Sequence, residues 1–372
     1  MRIAFFTDTY HPAIDGVVRA IDEYSTNLQK LGHEVKIFAP SPKEQNAKRE
    51  KVSYSSSIGF APYPQYRIPY WWNNSLKDVV NFKPDIIHSH AMVIMGIAAK
   101  EAAKKIRAPL IGTFHTMLPQ AGHYISDTEG AQLWFENVSW KYLKWFYSSG
   151  FDKITCPSNY VKEEIYKHGI DSLVLPNPVD VQKFSSKKID SRAKIWFEKD
   201  TIMFLGRIAR EKNIDFLIEM ARLEEFDSID TKILIAGDGP YLPQLQKKVK
   251  KYSLEKKVEF VGKVDESLLA SFYSLASCCI FPSVFETQGL TALEALACST
   301  PVVALEKTAI SEFIEPSKNG YVSLNNPKSA LDAAHMAIKN KKKLAAGARK
   351  TAMEYSADKC TKKLLEIYKG VL

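Results

Sequence analysis

One stretch constrains the fold more than any other, the run from Phe281 to Val303, FPSVFETQGLTALEALACSTPVV. A short apolar strand, Cys279 to Pro282, gives way to a polar loop ending in glycine, Glu286-Thr-Gln-Gly289. The pattern then predicts a helix from about Leu290 to Cys298 and a new strand from Pro301. In such a strand–loop–helix unit the glycine lets a ligand approach the backbone. The dipole and free N–H groups of the helix N-terminus favour an anion there, typically a phosphate. Two carboxylates flank the turn, Glu286 in the loop and Glu294 in the helix. Both can face one ligand that carries hydroxyls as well as phosphate, as a nucleotide sugar does. A plainer reading is also open. Thr291 and Glu294 fit a capping box for a helix that starts late, and Glu286 is then a solvated loop residue.

The rest of the chain repeats this alternation. At 372 residues it is too long for one ordinary core and suits two domains. Arg2 to Thr7 reads as a buried parallel strand, Asp8 to Gly16 as a loop, Val17 to Leu31 as a helix and Val35 to Ala39 as the next strand. This is a Rossmann-like start without a G-x-G-x-x-G fingerprint. Gly16 would let backbone N–H groups approach a phosphate, while Asp15 equally suits a helix N-cap. Residues 41–83 read as irregular, with an aromatic and proline-rich run at 60–72 that is either a packed loop or an acceptor or membrane surface. Asp85 to His90 reads as a strand, Ala91 to Ile106 as a helix and Pro109 to Phe114 as a strand. His115 lies just past that strand end, where open parallel sheets bind ligands; a structural histidine is the alternative. Gln132 to Tyr147 is helical, with Trp134, Trp140, Leu143 and Tyr147 on one broad face and Lys141 and Lys144 beside it. An in-plane membrane helix and a helix packed on its own domain both show such a stripe.

Pro176 and Pro178 around Asn177 make a stiff connector, which places a domain boundary at 178. The second half opens with the strand Thr201 to Leu205, then Gly206, Arg207 and Lys212 ahead of a helix. Arg207 can grip a diphosphate through its planar fork and Lys212 acts as a point charge; a solvated charge run is the other reading. Strands at Lys232 to Ala236 and Val258 to Val264 follow, the first ending in the tight turn Gly237-Asp-Gly-Pro240. The tail from Ser356 to Tyr368 reads as helical. Five scattered cysteines with no C-x2-C pair speak against a disulfide framework or zinc site and suit small core residues. A net charge of +9 allows nucleic acid or an anionic membrane as partner without choosing between them. No RNA-binding motif or dense basic stripe supports nucleic acid. No run of 18 apolar residues exists, and the N-terminus lacks a signal-peptide pattern.

Glu286-x7-Glu294, with Gly289 between and Pro301-Val-Val303 after, resembles the E-x7-E element of family 4 of the retaining glycosyltransferases, which have the GT-B fold. Gly206-Arg207-x4-Lys212 resembles that family's pyrophosphate-binding element. Glu286-Thr-Gln-Gly-Leu290, and His115-Thr-Met117 with Gly122-His-Tyr-Ile125, resemble the branch that glucosylates diacylglycerol. Three departures stand out: Ser299 and Pro178 replace family glycines, and Asp15 replaces the first of a glycine pair.

The resemblance implies an α/β fold of two Rossmann-like doubly wound domains, 1–178 and 179–354, facing across a cleft, with a C-terminal helix, 355–372, crossing back to the first. It implies retaining transfer of a hexose, by default glucose from UDP-glucose, to a hydroxyl acceptor such as diacylglycerol in a membrane. Arg207 and Lys212, with the N–H groups at Gly289 and Leu290, would neutralise the diphosphate. Glu286 would hold the sugar, Glu294 the ribose and Gly16 the phosphates. Gly237 would line the donor site, and the strand ending at Val264 would lie against the base. His115 would reach the donor sugar, with Tyr124 near the acceptor. No D-x-D pair follows a strand, so neither a cofactor nor an essential metal is expected. The expected location is cytoplasmic, peripheral on the inner face of the cell membrane. Two alternatives remain: a family 4 hexosyl- or mannosyltransferase acting on a soluble or polyprenyl-linked glycan, and a non-catalytic nucleotide-sugar or nucleic-acid binder.

Overall fold

The structure, a computed structural model, describes residues 1–372 apart from 45, 46, 48, 61, 62, 72, 125, 127, 187, 188 and 229, and of 60, 63–66, 71, 73, 74, 123 and 124 the backbone alone. It divides into two compact units, Met1–Pro178 with Ala357–Leu372, and Val179–Ser356. The chain therefore returns to the first unit at Ala357, two residues later than the sequence suggests.

The first unit runs β1 (Arg2–Phe6), α1 (Gly16–Lys30), β2 (Glu34–Pro40), β3 (Val52–Phe60), β4 (Tyr63–Trp71), α2 (Asn73–Phe82), β5 (Ile86–Ser89), α3 (Ile94–Ile106), β6 (Leu110–Thr113), α4 (Glu129–Tyr147), β7 (Lys153–Cys156), α5 (Asn159–Lys167) and β8 (Leu173–Val174). Its sheet has the order β4-β3-β2-β1-β5-β6-β7-β8, parallel except where β4 turns back on β3. Both faces of a parallel sheet are covered, so its strands need continuous apolar runs rather than alternation. Ile3 and Phe5 of β1 accordingly join one core cluster, and Ala4 and Phe6 the other.

The second unit runs β9 (Asp200–Leu205), α6 (Asp215–Ala221), α7 (Glu224–Asp227), β10 (Thr231–Ala236), α8 (Leu242–Lys251), β11 (Val258–Gly262), α9 (Leu269–Leu275), β12 (Cys278–Phe281), α10 (Leu290–Ala297), β13 (Val302–Leu305), β14 (Gly320–Ser323), α11 (Pro327–Lys339) and α12 (Lys341–Glu354). Its sheet order is β11-β10-β9-β12-β13-β14, parallel throughout. The last helix, α13 (Ala357–Lys369), packs Cys360, Leu364 and Tyr368 into the core of the first unit beside Phe5 and Ile111. All five cysteines are buried thiols.

Two expectations are corrected. Residues 41–83 are not irregular; they hold β3, β4 and α2. The strand signal was weak because β3 is serine-rich and carries polar ties, Ser53 to Asp78 at 2.6 Å and Ser55 to Ser75 at 2.7 Å, in place of branched apolar side chains. Its partner β4 contains Pro64 and Pro69, which an edge strand tolerates. The side chains of the 60–72 aromatic run lie largely outside the described residues, as do those of Tyr124 and Ile125. In α4, Trp140, Leu143 and Tyr147 are buried against their own unit, whereas Trp134 is 65% exposed. They do not share a face, because six residues on a helix turn a side chain about 120° away. Helix α12 was not foreseen.

Candidate active site

Ligands of open α/β sheets bind off the carboxyl ends of the strands, where the strand order reverses. In the second unit that point lies between β9 and β12. The loop leaving β9 carries Arg207 and Lys212, and the loop leaving β12 carries Glu286. Lys212 Nζ donates to Glu286 Oε1 at 2.5 Å, and Ser283 Oγ donates to the same oxygen at 3.3 Å. Asn213, in the left-handed region at φ 52°, ties the loops together by donating from Nδ2 to the Pro282 carbonyl at 3.1 Å. Lys212 and Glu286 are mostly buried, with side-chain exposures of 21% and 15%. Arg207 is more exposed, at 38%, and donates to Glu211 at 2.5 Å.

The neighbouring loops are laced to this one through the backbone. Gly206 N–H donates to the Ala236 carbonyl at 3.0 Å, Ile208 N–H to Asp238 at 2.9 Å and Gly237 N–H to Gly262 at 2.8 Å. Gly237 is required here: a Cβ on it would stand 1.8 Å from the Gly206 carbonyl oxygen. Val264, just past β11, is partly buried against the unit's core.

On the other side, Gly289 at φ 91° is the N-cap of α10 and itself has no side chain with which to cap the helix. The left-handed turn needs glycine, and a Cβ would also meet Ile310 at 2.4 Å. Leu290 opens the helix and is half-buried. The capping-box reading of Thr291 and Glu294 fails, since the helix starts at Leu290 and places Glu294 well inside it. Glu294 is 2% exposed and accepts the Tyr273 hydroxyl of α9 at 2.8 Å. The structure thus separates the two carboxylates in character, Glu286 in a loop against a lysine and Glu294 inside a helix against a tyrosine.

In the first unit the reversal lies between β1 and β5. Asp15 caps α1, accepting from Val17 and Val18 N–H at 2.9 Å each. It therefore occupies N–H groups that a phosphate at Gly16 would seek. Asp8, past β1, accepts from the N–H groups of Met92, Val93 and Met95 at 3.0, 2.9 and 2.9 Å and so caps α3 from a different loop. Burial raises its pKa while these donors oppose the rise.

Three buried histidines stand at the ends of β5 and β6. His88 and His90 stack at 4.2 Å between centroids, and His90 Nδ1 lies 2.9 Å from His115 Nε2. His88 is fully engaged, with Tyr368 at 2.8 Å and Thr113 at 2.6 Å. Burial depresses all three: His88 and His115 fall to about 3 and His90 well below its ordinary value. They are neutral at physiological pH. His88, His90, Asp8 and Tyr273 were not singled out from sequence.

The first half of the chain, residues 14–183, matches the model of Glycosyltransferase Family 4, and residues 186–354 match Glycosyl transferases group 1. An alpha-monoglucosyldiacylglycerol synthase of Streptococcus pneumoniae is 32% identical over 334 residues, 86% of this chain and 74% of that one. A GDP-mannose-dependent alpha-mannosyltransferase of Mycolicibacterium smegmatis is 22% identical over 387 residues, 100% of this chain and 98% of that one. Among solved structures, Anabaena HepE in complex with UDP-glucose superposes with a TM-score of 0.77 at 14% identity, each chain covered completely. Two doubly wound parallel-sheet units of this kind are the GT-B fold, the architecture of one large class of sugar-transferring enzymes. This chain belongs to family 4 of the glycosyltransferases.

Proposed function

We propose that the enzyme transfers a hexose, glucose in the first instance, from a nucleotide sugar to a membrane glycerolipid such as diacylglycerol, with retention of configuration. The observation that carries this is the Lys212–Glu286 pair at the strand-order reversal of the second unit. A cation and a carboxylate held side by side at the N-terminus of α10 match the two parts of a nucleotide sugar, its diphosphate and its hydroxyls. On donor binding Lys212 turns to the diphosphate together with Arg207 and the N–H groups at Gly289 and Leu290, and Glu286 is released to the sugar hydroxyls. Fixed charge aimed at the departing diphosphate supplies the main catalytic effect. Gly237 and Val264 border the nucleotide, Glu294 meets the ribose, and Gly16 meets the phosphates if Asp15 yields its N–H groups. His115 meets a substrate hydroxyl.

Likeness to the Streptococcus synthase supports a diacylglycerol acceptor. Likeness to the mannosyltransferase keeps GDP-mannose among the donors to be tested.

Membrane contact has its own support. Trp134, Val138, Lys141 and Trp145 form one outward stripe of α4 within about 60°, with the two tryptophans 65% and 61% exposed. Lys144 and Lys167 line an adjoining groove with Trp140 and His168, whose rings stack at 3.6 Å. Exposed tryptophans among lysines suit an anionic bilayer surface. Among the described residues no helix is long and apolar enough to cross a membrane.

The test is a transfer assay with radiolabelled UDP-glucose, UDP-galactose, UDP-GlcNAc and GDP-mannose. Diacylglycerol in anionic micelles is the acceptor, EDTA is present, and Glu286→Ala is the control. Lipid-phase label from one donor, lost in the control, supports the proposal. Slow Glu286-dependent sugar release without lipid label overturns the lipid acceptor and leaves a soluble or polyprenyl-linked glycan. Label that needs added metal overturns metal independence.

A further inference from the structure

His90 and His115 are each about 95% buried, and each is left with one ring nitrogen, His90 Nε2 and His115 Nδ1, that has no hydrogen-bond partner among the described residues. Buried polar atoms are seldom left so, and two in one hydrogen-bonded pair call for an explanation. The surroundings make the omission costly. Phe5 sets its ring edge-on against both His88 and His90, at 5.6 and 4.8 Å. His88 stacks on His90, and Phe114 precedes His115 in the core.

The chemistry of the pair is restrictive. A neutral imidazole has one N–H and one bare nitrogen. If His90 Nδ1 donates to His115 Nε2, then His115 carries its proton on Nδ1 and His90 Nε2 is bare. If His115 Nε2 donates instead, His115 Nδ1 is bare and His90 Nε2 carries the proton. In either state one open nitrogen is a donor and the other an acceptor, and the two rings can change state only together.

We propose that His90 is a positioning residue. Its hydrogen bond to His115 fixes both the ring orientation and the tautomer of His115, so that His115 Nδ1 meets a substrate hydroxyl in one defined hydrogen-bonding role. This rests on the reading that His115 meets a substrate hydroxyl. The frame is built to hold it: His88, stacked on His90, is clamped at both nitrogens by Thr113 of β6 and Tyr368 of α13, and Thr113 is held by Thr155 of β7 at 2.6 Å. Strands β5, β6 and β7 and the C-terminal helix thus converge on one ring stack. Among the described residues the titratable groups about the pair are His88 on β5, Tyr368 on α13, and Tyr147 on α4, which packs on Phe114 and feels the charge of Asp8 past β1.

His90 engages through Nδ1, the position that an Asn or Asp side-chain atom can reproduce, whereas Gln reaches to the level of Nε2. That separates positioning from packing. The full chain is prepared with 15N-labelled histidine, and long-range 1H–15N spectra give the tautomer and titration of His115, assigned by His115→Asn. In wild type His115 shows a single neutral tautomer that is not protonated above pH 5. His90→Asp can only accept, so it locks the His115 proton on Nε2 and raises its pKa. In the transfer assay His90→Asn keeps kcat close to wild type, while His90→Gln loses it on the order of tenfold to hundredfold, by analogy with the loss when the partner that orients a metal-ligating histidine is removed.

Unchanged His115 tautomer and titration in a folded His90→Asp protein overturn the proposal. So does a Gln variant more active than the Asn variant, the order that side-chain volume alone predicts. Should His90→Asp fail to fold by circular dichroism, the Asn–Gln order decides. Should wild type transfer no sugar, the functional reading falls and the spectra alone decide the role of His90.

Discussion

Ser299 offers a test of how α10, the helix that carries Glu294, is ended. The Cys298 cap is followed by Ser299 at φ 62°, the left-handed region. Thr300 N–H donates to the Ala295 carbonyl at 3.0 Å and Ser299 N–H to Leu296 at 2.9 Å. These two bonds make a Schellman motif, whose left-handed position is ordinarily glycine. The serine hydroxyl has no protein partner among the described residues to offset its Cβ. A side chain in this conformation costs about 1–2 kcal/mol. Glycine returns about 0.5–1 kcal/mol of that through the greater freedom of its unfolded chain. Ser299→Gly should therefore stabilise the second unit by about 0.5–1 kcal/mol. For a unit of this size that raises the melting midpoint by about 1–4 °C, read by differential scanning calorimetry of the full chain. Ser299→Ala keeps the Cβ and should give no such gain, and Ser299→Val should lower the midpoint. Transfer activity should not change, because the eight residues of α10 put Ser299 more than about 12 Å along the axis from Gly289. A midpoint that falls in Ser299→Gly, or an Ala variant as stable as the Gly variant, refutes the backbone argument.

Other perturbations follow from the same geometry. Gly237→Ala puts a Cβ against the Gly206 carbonyl, which cannot move without breaking the β9–β10 lacing; a loss on the order of 3 kcal/mol or more should appear as a lower urea midpoint, and an unchanged midpoint would count against that packing. Lys212→Met keeps the stem and removes the charge, so calorimetric titration should show UDP binding weakened by about tenfold or more; equal affinity would remove Lys212 from the diphosphate site. Glu286→Gln should leave UDP affinity near wild type yet reduce transfer about a hundredfold or more, and a loss of UDP affinity instead would assign Glu286 to the phosphates. The histidine stack sets a pH dependence: ordinary histidines in the unfolded chain take up protons as pH falls below about 6.5, whereas His88 and His115 stay neutral in the fold down to about 3. The unfolded state then holds more protons, so stability is full above about pH 6.5 and falls with acidification by up to about 1.4 kcal/mol per pH unit for each histidine; His88→Asn should flatten the slope of unfolding free energy between pH 4 and 6.

What could be read from the sequence and what could not divides along physical lines. The central strands were legible because a doubly covered parallel sheet demands unbroken apolar runs, and Ile202 to Leu205, Ile233 to Ala236 and Val302 to Leu305 supply them. The loops of the second unit were legible because a glycine between a strand and a helix has few other reasons to be there, and Gly237 and Gly289 both prove to stand at positive φ. Strand β3 was hidden because its buried side chains among the described residues are Ser53 and Ser55, while Val52 and Tyr54 are only partly buried. The faces of α4 were misjudged because aromatic residues occur all round it. Burial then sorts them by angle, Trp140, Leu143 and Tyr147 inward and Trp134, Val138 and Trp145 outward.

The histidine stack is the instructive case, because a signal for it was present. His88 and His90 are two apart, so they share one side at the end of β5, and Thr113 and His115 are two apart at the end of β6. Consecutive strands of a parallel sheet are usually neighbours, and β5 and β6 pair in register, Ile87 with Leu110 and Ser89 with Gly112. In that register His88 stands opposite Ile111 and His90 comes level with Thr113, so the two hydrogen bonds that the structure contains, His88 to Thr113 and His90 to His115, run diagonally to the residue two further along the chain on the same side of the sheet. Taken one strand at a time, each histidine is a lone side chain with a structural explanation. Paired across adjacent strand ends, they are a polar cluster at the switch point of the sheet, and a lone His115 becomes one member of a hydrogen-bonded couple.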